Sequence, residues 1–252
     1  MEFLRVASGG SAASLAVLGG EEESLSPRQR ALARLAVALT ARPWEVTSET
    51  IADLRHHGLD EGQIETAVGV SAMFNYFTRV ADATGIEFDY PTPLPAFEPD
   101  VCQVAAARPA RPGEAGQGAV GPDAAGRPVP AAPKLRTLWD AWHSFLLEAD
   151  ESLSTGQRRL VAAVAAGESG DWERAAELSS RALPASAGGP LPAFARKLSR
   201  APWSMTAGDL DALRAAGHTE HAALHVVAIV AHQNADSRLA AGLRAARAAG
   251  RG

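Results

Sequence analysis

Two pairs of residues have types and a spacing suited to binding chemistry. Asn75 and Arg79, and again Asn234 and Arg238, stand four positions apart inside apolar tracts. On a helix that interval places an amide and a guanidinium on one face, where together they could line a cleft and hold an anionic ligand. With His232 just ahead of the second pair, these five residues are the ligand-binding candidates. Each arginine could equally meet an acidic neighbour such as Asp82 or Asp236 and tie helices together.

Other side chains carry weaker signals. Ser11 and Ser14 offer hydroxyl nucleophiles, yet no histidine or acid is visibly coupled to them, so small packing residues are expected there. Asp171, Glu173, Arg174 and Glu177 could form an acid–base cluster. A solvated helix start, where acidic side chains complement the helix dipole, explains them as well. His221 and His225 have the i, i+4 spacing of two imidazoles on one metal. His232 repeats that face roughly 10 Å further along the axis, and no third ligand is placed to close a site. No metal and no cofactor are expected. His56-His57 diverge and signal less.

Composition narrows the function classes. The 252-residue chain is rich in alanine and poor in aromatics, with a net charge of −5. An all-α protein follows. No dense Lys/Arg run offers a footprint for nucleic acid. The single Cys102 excludes an internal disulfide, a dithiol couple and a cysteine-based zinc site. No apolar run reaches membrane-spanning length, and residues 6–18 are too rich in Gly and Ser for a signal peptide. A soluble, cytoplasmic protein with no membrane partner is expected.

The elements that must position these residues occur twice. Leu39 to Ala81 aligns with Leu198 to Ala240 at a constant offset of 159, with thirteen identities in forty-three positions. Pro43-Trp44 returns as Pro202-Trp203, Thr47 as Thr206, Leu54-Arg55 as Leu213-Arg214, Gly58 as Gly217 and Glu61 as Glu220. Each copy reads as a short helix stopped by glycine, then a long apolar helix bearing the Asn and the Arg. Ser26-Pro27 opens the helix before the first copy. Thr47 or Ser48 caps the short helix, and Asp60 with Gln63 forms a capping box for a helix from Glu61 to Thr84. Its buried side is expected to follow Ile64, Val68, Ser71, Phe74 and Phe77.

Between the copies the texture changes. Ten of the sixteen prolines fall between Pro91 and Pro133, which reads as a linker, with Tyr90, Leu94 and Phe97 able to pack down at its start. Three segments result: a first copy over 1–86, truncated at its start, a Pro/Ala/Gly-rich linker over 87–134 and a second copy over 135–252. Leu138, Trp139, Trp142, Phe145 and Leu146 make the helix from Leu135 to Glu148 amphipathic, with the tryptophans in the core or a subunit interface. Helices over Gln157 to Ala166 and Asp171 to Leu183 follow, the first capped by Ser154 or Thr155.

The repeat resembles the alkylhydroperoxidase D and carboxymuconolactone decarboxylase superfamily. The resemblance rests on Leu25-Ser26-Pro27-Arg28-Gln29-Arg30, the Arg42-Pro43 break, Leu54-Arg55 with Gly58-Leu59, and Phe74-Asn75-Tyr76-Phe77-Thr78-Arg79-Val80-Ala81-Asp82-Ala83. In the second copy those last places are held by Asn234-Ala235-Asp236-Ser237-Arg238-Leu239-Ala240. It implies a duplicated all-helical bundle, a pseudo-dimer, that self-associates. The family's peroxidases carry Cys-x-x-Cys with a histidine four residues on, because a thiolate must attack the O–O bond and a second thiol must resolve the sulfenic acid. Here those cysteine places fall on Ser11 and Ser14, and on Asp171 and Arg174. The histidine places hold Leu18 and Leu178, and the upstream relay glutamate falls on Arg159.

Loss of both cysteine pairs predicts no thiol peroxidase activity. Since the Asn/Arg pair is kept in both copies while the redox residues are kept in neither, the structural role of the pair is favoured. The first functional expectation is a redox-inactive binding or assembly partner, of itself as a homo-oligomer or of another alkylhydroperoxidase-like or flavin-dependent protein. The alternative is a cofactor-independent isomerase, lyase or decarboxylase on a small organic acid, which needs a sealed cleft with an acid–base pair and an arginine anchor. Residual peroxidase-type activity is the weakest reading.

Overall fold

A computed structural model describes residues 22–86, 133–180, 182 and 189–250. Among these, all regular structure is helical. The helices are α1 (Pro27–Ala41), α2 (Ser48–His56), α3 (Glu61–Thr84), α4 (Pro133–Glu148), α5 (Thr155–Glu168), α6 (Trp172–Ser179), α7 (Pro190–Arg200), α8 (Ala207–Ala215) and α9 (Glu220–Ala249), with short 3-10 turns at Pro43–Glu45 and Pro202–Ser204. No described helix is long and apolar enough to cross a membrane. Most of the expected linker, with Tyr90, Leu94, Phe97 and Cys102, lies outside the described residues, as do residues 1–21.

Local chemistry sets the helix ends. Ser26 caps α1 through a reciprocal capping box with Gln29, and Pro27 occupies the first turn. Thr47, not Ser48, caps α2; Asp60 and Gln63 open α3; Ser154, not Thr155, caps α5. Each such cap satisfies amide groups that have no partner within the helix. α4 and α5 extend about two residues past their expected limits. The helix expected over Asp171 to Leu183 is shorter: α6 ends at Ser179, and Asp171 is its N-cap.

The succession α1, 3-10 turn, α2, α3 recurs as α7, 3-10 turn, α8, α9. The ends of α1 and α7, the turns, both ends of α2 and α8, and the starts of α3 and α9 all keep the 159-residue offset. Contacts repeat with it. Gly58 and Gly217 sit at φ 79° and 87°, a conformation that costs little only for glycine. The amides of Leu59 and His218 each donate to the carbonyl five residues back at 3.1 Å. Arg55 pairs with Glu61 at 2.6 Å and Arg214 with Glu220 at 2.8 Å.

α3 and α9 pack antiparallel along the middle of the molecule. Near one end of α3, Val68 meets Gly242 of α9; near the other, Ala83 joins a core with Ala222, Val226 and Val230. One apolar core gathers α1, α2 and α3 around Leu239 and Leu243, and the other gathers α5, α6 and α7 around the first half of α9. Burying each Leu or Ile contributes about 1.5–3 kcal/mol, so α9, which belongs to both cores, holds the halves together. From Ile229 to Ala240 every residue of α9 is buried.

The buried stripe of α3 differs from expectation. It runs through Ile64, Val68, Ala72, Asn75, Arg79 and Ala83. Phe74 and Phe77 lie on the opposite side and are 48% and 54% exposed. Apolar character misidentifies the inner face because two polar residues occupy it. On α4, likewise, Leu146 and Leu147 are buried, while Leu138, Trp142 and Phe145 keep exposed surface.

Candidate functional site

The two Asn/Arg pairs meet where α3 and α9 cross, and their bonds are reciprocal. Arg79 Nη1 donates to the Asn75 side chain at 2.8 Å, and its Nη2 reaches the carbonyl of Ser199 at 3.1 Å. Arg238 Nη1 donates to the Asn234 side chain at 2.9 Å, and its Nη2 reaches the carbonyl of Thr40 at 2.9 Å. Thr40 and Ser199 are themselves 159 positions apart. Each also accepts from the asparagine of its own segment, Thr40 Oγ1 from Asn75 at 3.0 Å and Ser199 Oγ from Asn234 at 2.8 Å. Ser169, 4% exposed, adds to the second pair by donating to Asn234 Oδ1 and accepting from Arg238.

These arginines are spent inside the protein. Burial pulls Arg79 down to about 10, partly offset by Asp82, and draws Arg238 well below its ordinary value, with the like charge of Arg79 adding to the effect. A guanidinium keeps its proton in proteins, so both act as donors only. The expected Arg238–Asp236 pairing does not form. Asp236 instead accepts from the Trp139 indole at 3.3 Å and from Gln233. Arg238 is thus stabilised by carbonyl dipoles, and Nε of each arginine has no hydrogen-bond partner among the described residues.

A second polar cluster lies between α4, α6 and α9. His232, 1% exposed, contacts His143 of α4, with His143 Nδ1 2.9 Å from His232 Nε2. On its other side His143 Nε2 lies 2.6 Å from Arg174 Nη2, and Arg174 Nη1 pairs with Glu177 at 2.6 Å. Since a guanidinium only donates, His143 Nε2 accepts. Its hydrogen is then on Nδ1, which donates to His232 Nε2, and the hydrogen of His232 is on Nδ1. Trp139 packs on His232 with ring centroids 4.6 Å apart. The helix start at Asp171 to Glu177 is solvated only in part, against expectation: Glu173 and Glu177 are exposed, but Asp171 and Arg174 are 4% and 8% exposed. Arg244 of α9 lies 3.5 Å from Asp171.

The remaining candidates are placed apart. Ser11 and Ser14 lie outside the described residues. His221 and His225 meet edge-on with centroids 4.4 Å apart, but His225 Nδ1 accepts from Arg158 at 2.6 Å. Burial, and then the Arg158 charge, lower the His225 pKa. Arg158 is fully buried, and it also donates to the carbonyls of Leu146, Glu151 and Leu153, fastening the turn between α4 and α5. Among the described residues, no group of three His, Cys, Asp or Glu side chains could hold a metal.

Sequence reasoning missed His143, Ser169 and Arg158. A lone histidine on an amphipathic helix carries no spacing signal, and its partner His232 lies 89 positions away. Thr40 and Ser199 were visible only as a hydroxyl kept at equivalent positions. Compared with known proteins, the chain matches no family model, no curated protein and no solved structure.

Proposed function

We propose that this chain is an internally duplicated, alkylhydroperoxidase D-like helical module that acts by binding or assembly and does not reduce peroxides. The observation that carries the reading is the reciprocal use of Arg79 and Arg238. A ligand-binding arginine presents its donors to a cleft, whereas here both Nη groups of each guanidinium end on protein oxygens. The matching element ends and hydrogen bonds at the 159-residue offset support the duplication. At the second cysteine place of the resemblance, Arg174 contacts an imidazole and a carboxylate, and neither contact supplies redox chemistry. Partners of the module are a second copy, another alkylhydroperoxidase-like protein or a flavin-dependent protein.

The test is an assay of the purified full chain with cumene hydroperoxide and a dithiol reductant. No turnover above the uncatalysed rate is expected. Robust turnover that persists after Cys102→Ser would overturn the reading. One observation favours a cofactor-independent isomerase or lyase as a second reading: His143 and His232, 2.9 Å apart at Nδ1 and Nε2, could pass a proton between their rings, with Arg174 holding His143 in place. Loss of turnover of a small organic acid in His143→Gln, with folding intact, would favour it.

A further inference from the structure

Four positions on α3 differ from their counterparts on α9. Ile229, His232, Gln233 and Asp236 are each at most 6% exposed, with His232 and Asp236 contacted by α4. At the places 159 residues earlier stand Val70, Met73, Phe74 and Phe77, exposed by 44%, 46%, 48% and 54%. These residues share the side of α3 opposite its buried stripe. From Thr66 to Ala81 the only charged residue is Arg79, which is buried. Four turns of helix thus present an exposed face without charge. A helix that is apolar on both sides is ordinarily buried on both sides.

The face continues onto α4. Phe77 packs edge-on against Tyr76 with centroids 5.6 Å apart, and the Tyr76 hydroxyl lies beside the Trp142 indole. Trp142 in turn stacks on Phe145 at 5.4 Å. With about half of each ring's ~150–250 Å² exposed, and Val70 and Met73 added, the patch amounts to on the order of 500–700 Å². That approaches the ~800 Å² that each partner contributes to a standard two-chain interface. Aromatic residues and methionine with no charge at the centre are the composition of an interface core.

We infer that the exposed apolar face of α3, continued by Trp142 and Phe145 of α4, is the surface through which two copies of this chain associate. The area argues for a second copy, since a patch of this size approaches what each partner of a twofold dimer contributes. The inference rests on the proposed assembly role and gives it a surface.

The test is sedimentation of the full chain over a range of concentrations, alone and with Phe74→Glu, Phe77→Glu or, as a control on α1, Val37→Glu. The wild type is expected at about twice the 26.2 kDa chain mass. Either phenylalanine variant should weaken association at least tenfold with its helical circular dichroism unchanged, and the control should not. Maleimide labelling of Met73→Cys in a Cys102→Ser background supplies a second measurement. The thiol is expected to be protected in the dimer and reactive once Phe77→Glu is added. A monomer with a reactive thiol overturns the inference. So does a monomer with a protected thiol, which assigns the face to another segment of the same chain, or a dimer indifferent to both phenylalanine variants. Peroxide turnover by a dimer dependent on this face would remove the proposed function and leave the interface standing.

Discussion

Arg238 donates to the carbonyl oxygen of Thr40 at 2.9 Å across 198 positions of sequence, and Arg79 returns the contact at Ser199. Each long helix is thereby pinned to the end of the helix that opens the other repeat, α9 to α1 and α3 to α7. The pins are cationic, buried and close enough to repel.

Removing one pin should therefore be costly. Arg79→Met strands the Ser199 carbonyl and Asn75 Oδ1, and Arg238→Met strands the Thr40 carbonyl and leaves Asn234 Oδ1 to Ser169 alone; each variant is expected to lose about 2–4 kcal/mol in urea denaturation. The double variant should lose less than the two together, because the first substitution relieves the repulsion acting on the second. Singles that each cost under about 0.5 kcal/mol would contradict the pinning role.

The crossing of α3 and α9 predicts the sign of a glycine substitution. A Cβ on Gly242 would lie 2.5 Å from Val68 Cγ1, whereas one on Gly69 meets nothing within 4 Å. Ala ordinarily stabilises a helix interior relative to Gly by about 0.5–1 kcal/mol. Gly69→Ala should do so, while Gly242→Ala should lower the stability by about 1–3 kcal/mol through overpacking. Adding Val68→Ala to Gly242→Ala should reduce the clash, as measured by a partial recovery of the melting temperature relative to Val68→Ala alone.

His225 gives stability a dependence on pH. Its folded pKa lies below 6.5 because burial and Arg158 disfavour the imidazolium. The unfolded chain thus binds the proton first as pH falls. The contribution of His225 is complete above about 6.5 and is lost as pH drops through and below that value. His225→Phe should be less stable at pH 7.5, having removed an acceptor from Arg158, yet its stability should fall less between pH 7 and 5 than that of the wild type. Equal slopes in denaturation series at several pH values would rule this out.

Arg174 fixes the tautomers of the two linked imidazoles. Nitrogen NMR of the histidine rings at neutral pH should show the hydrogen on Nδ1 in both His143 and His232. Arg174→Met should release His143 to the Nε2–H form. An Nε2–H tautomer for His143 in the wild type would contradict the bonding described.

Helix ends and repeat register were legible in the sequence because both depend on local chemistry. Ser26-Pro27, Asp60 with Gln63, and Gly58 act within a few residues of themselves, and the 159-residue offset relates like residues to like. The i, i+4 spacing also placed each asparagine beside its arginine, since helical geometry alone sets that distance. Tertiary structure decided what those residues face. Phe74 and Phe77 looked like core, and Asn75 and Arg79, though favoured as structural, had no identifiable partners, because hydropathy ranks the side chains by transfer to an apolar phase and ignores hydrogen bonds formed across the crossing. Only the antiparallel packing of α3 on α9 supplies the carbonyls of Thr40 and Ser199 that make burial of two arginines tolerable, and only the placement of α4 brings His143 to His232.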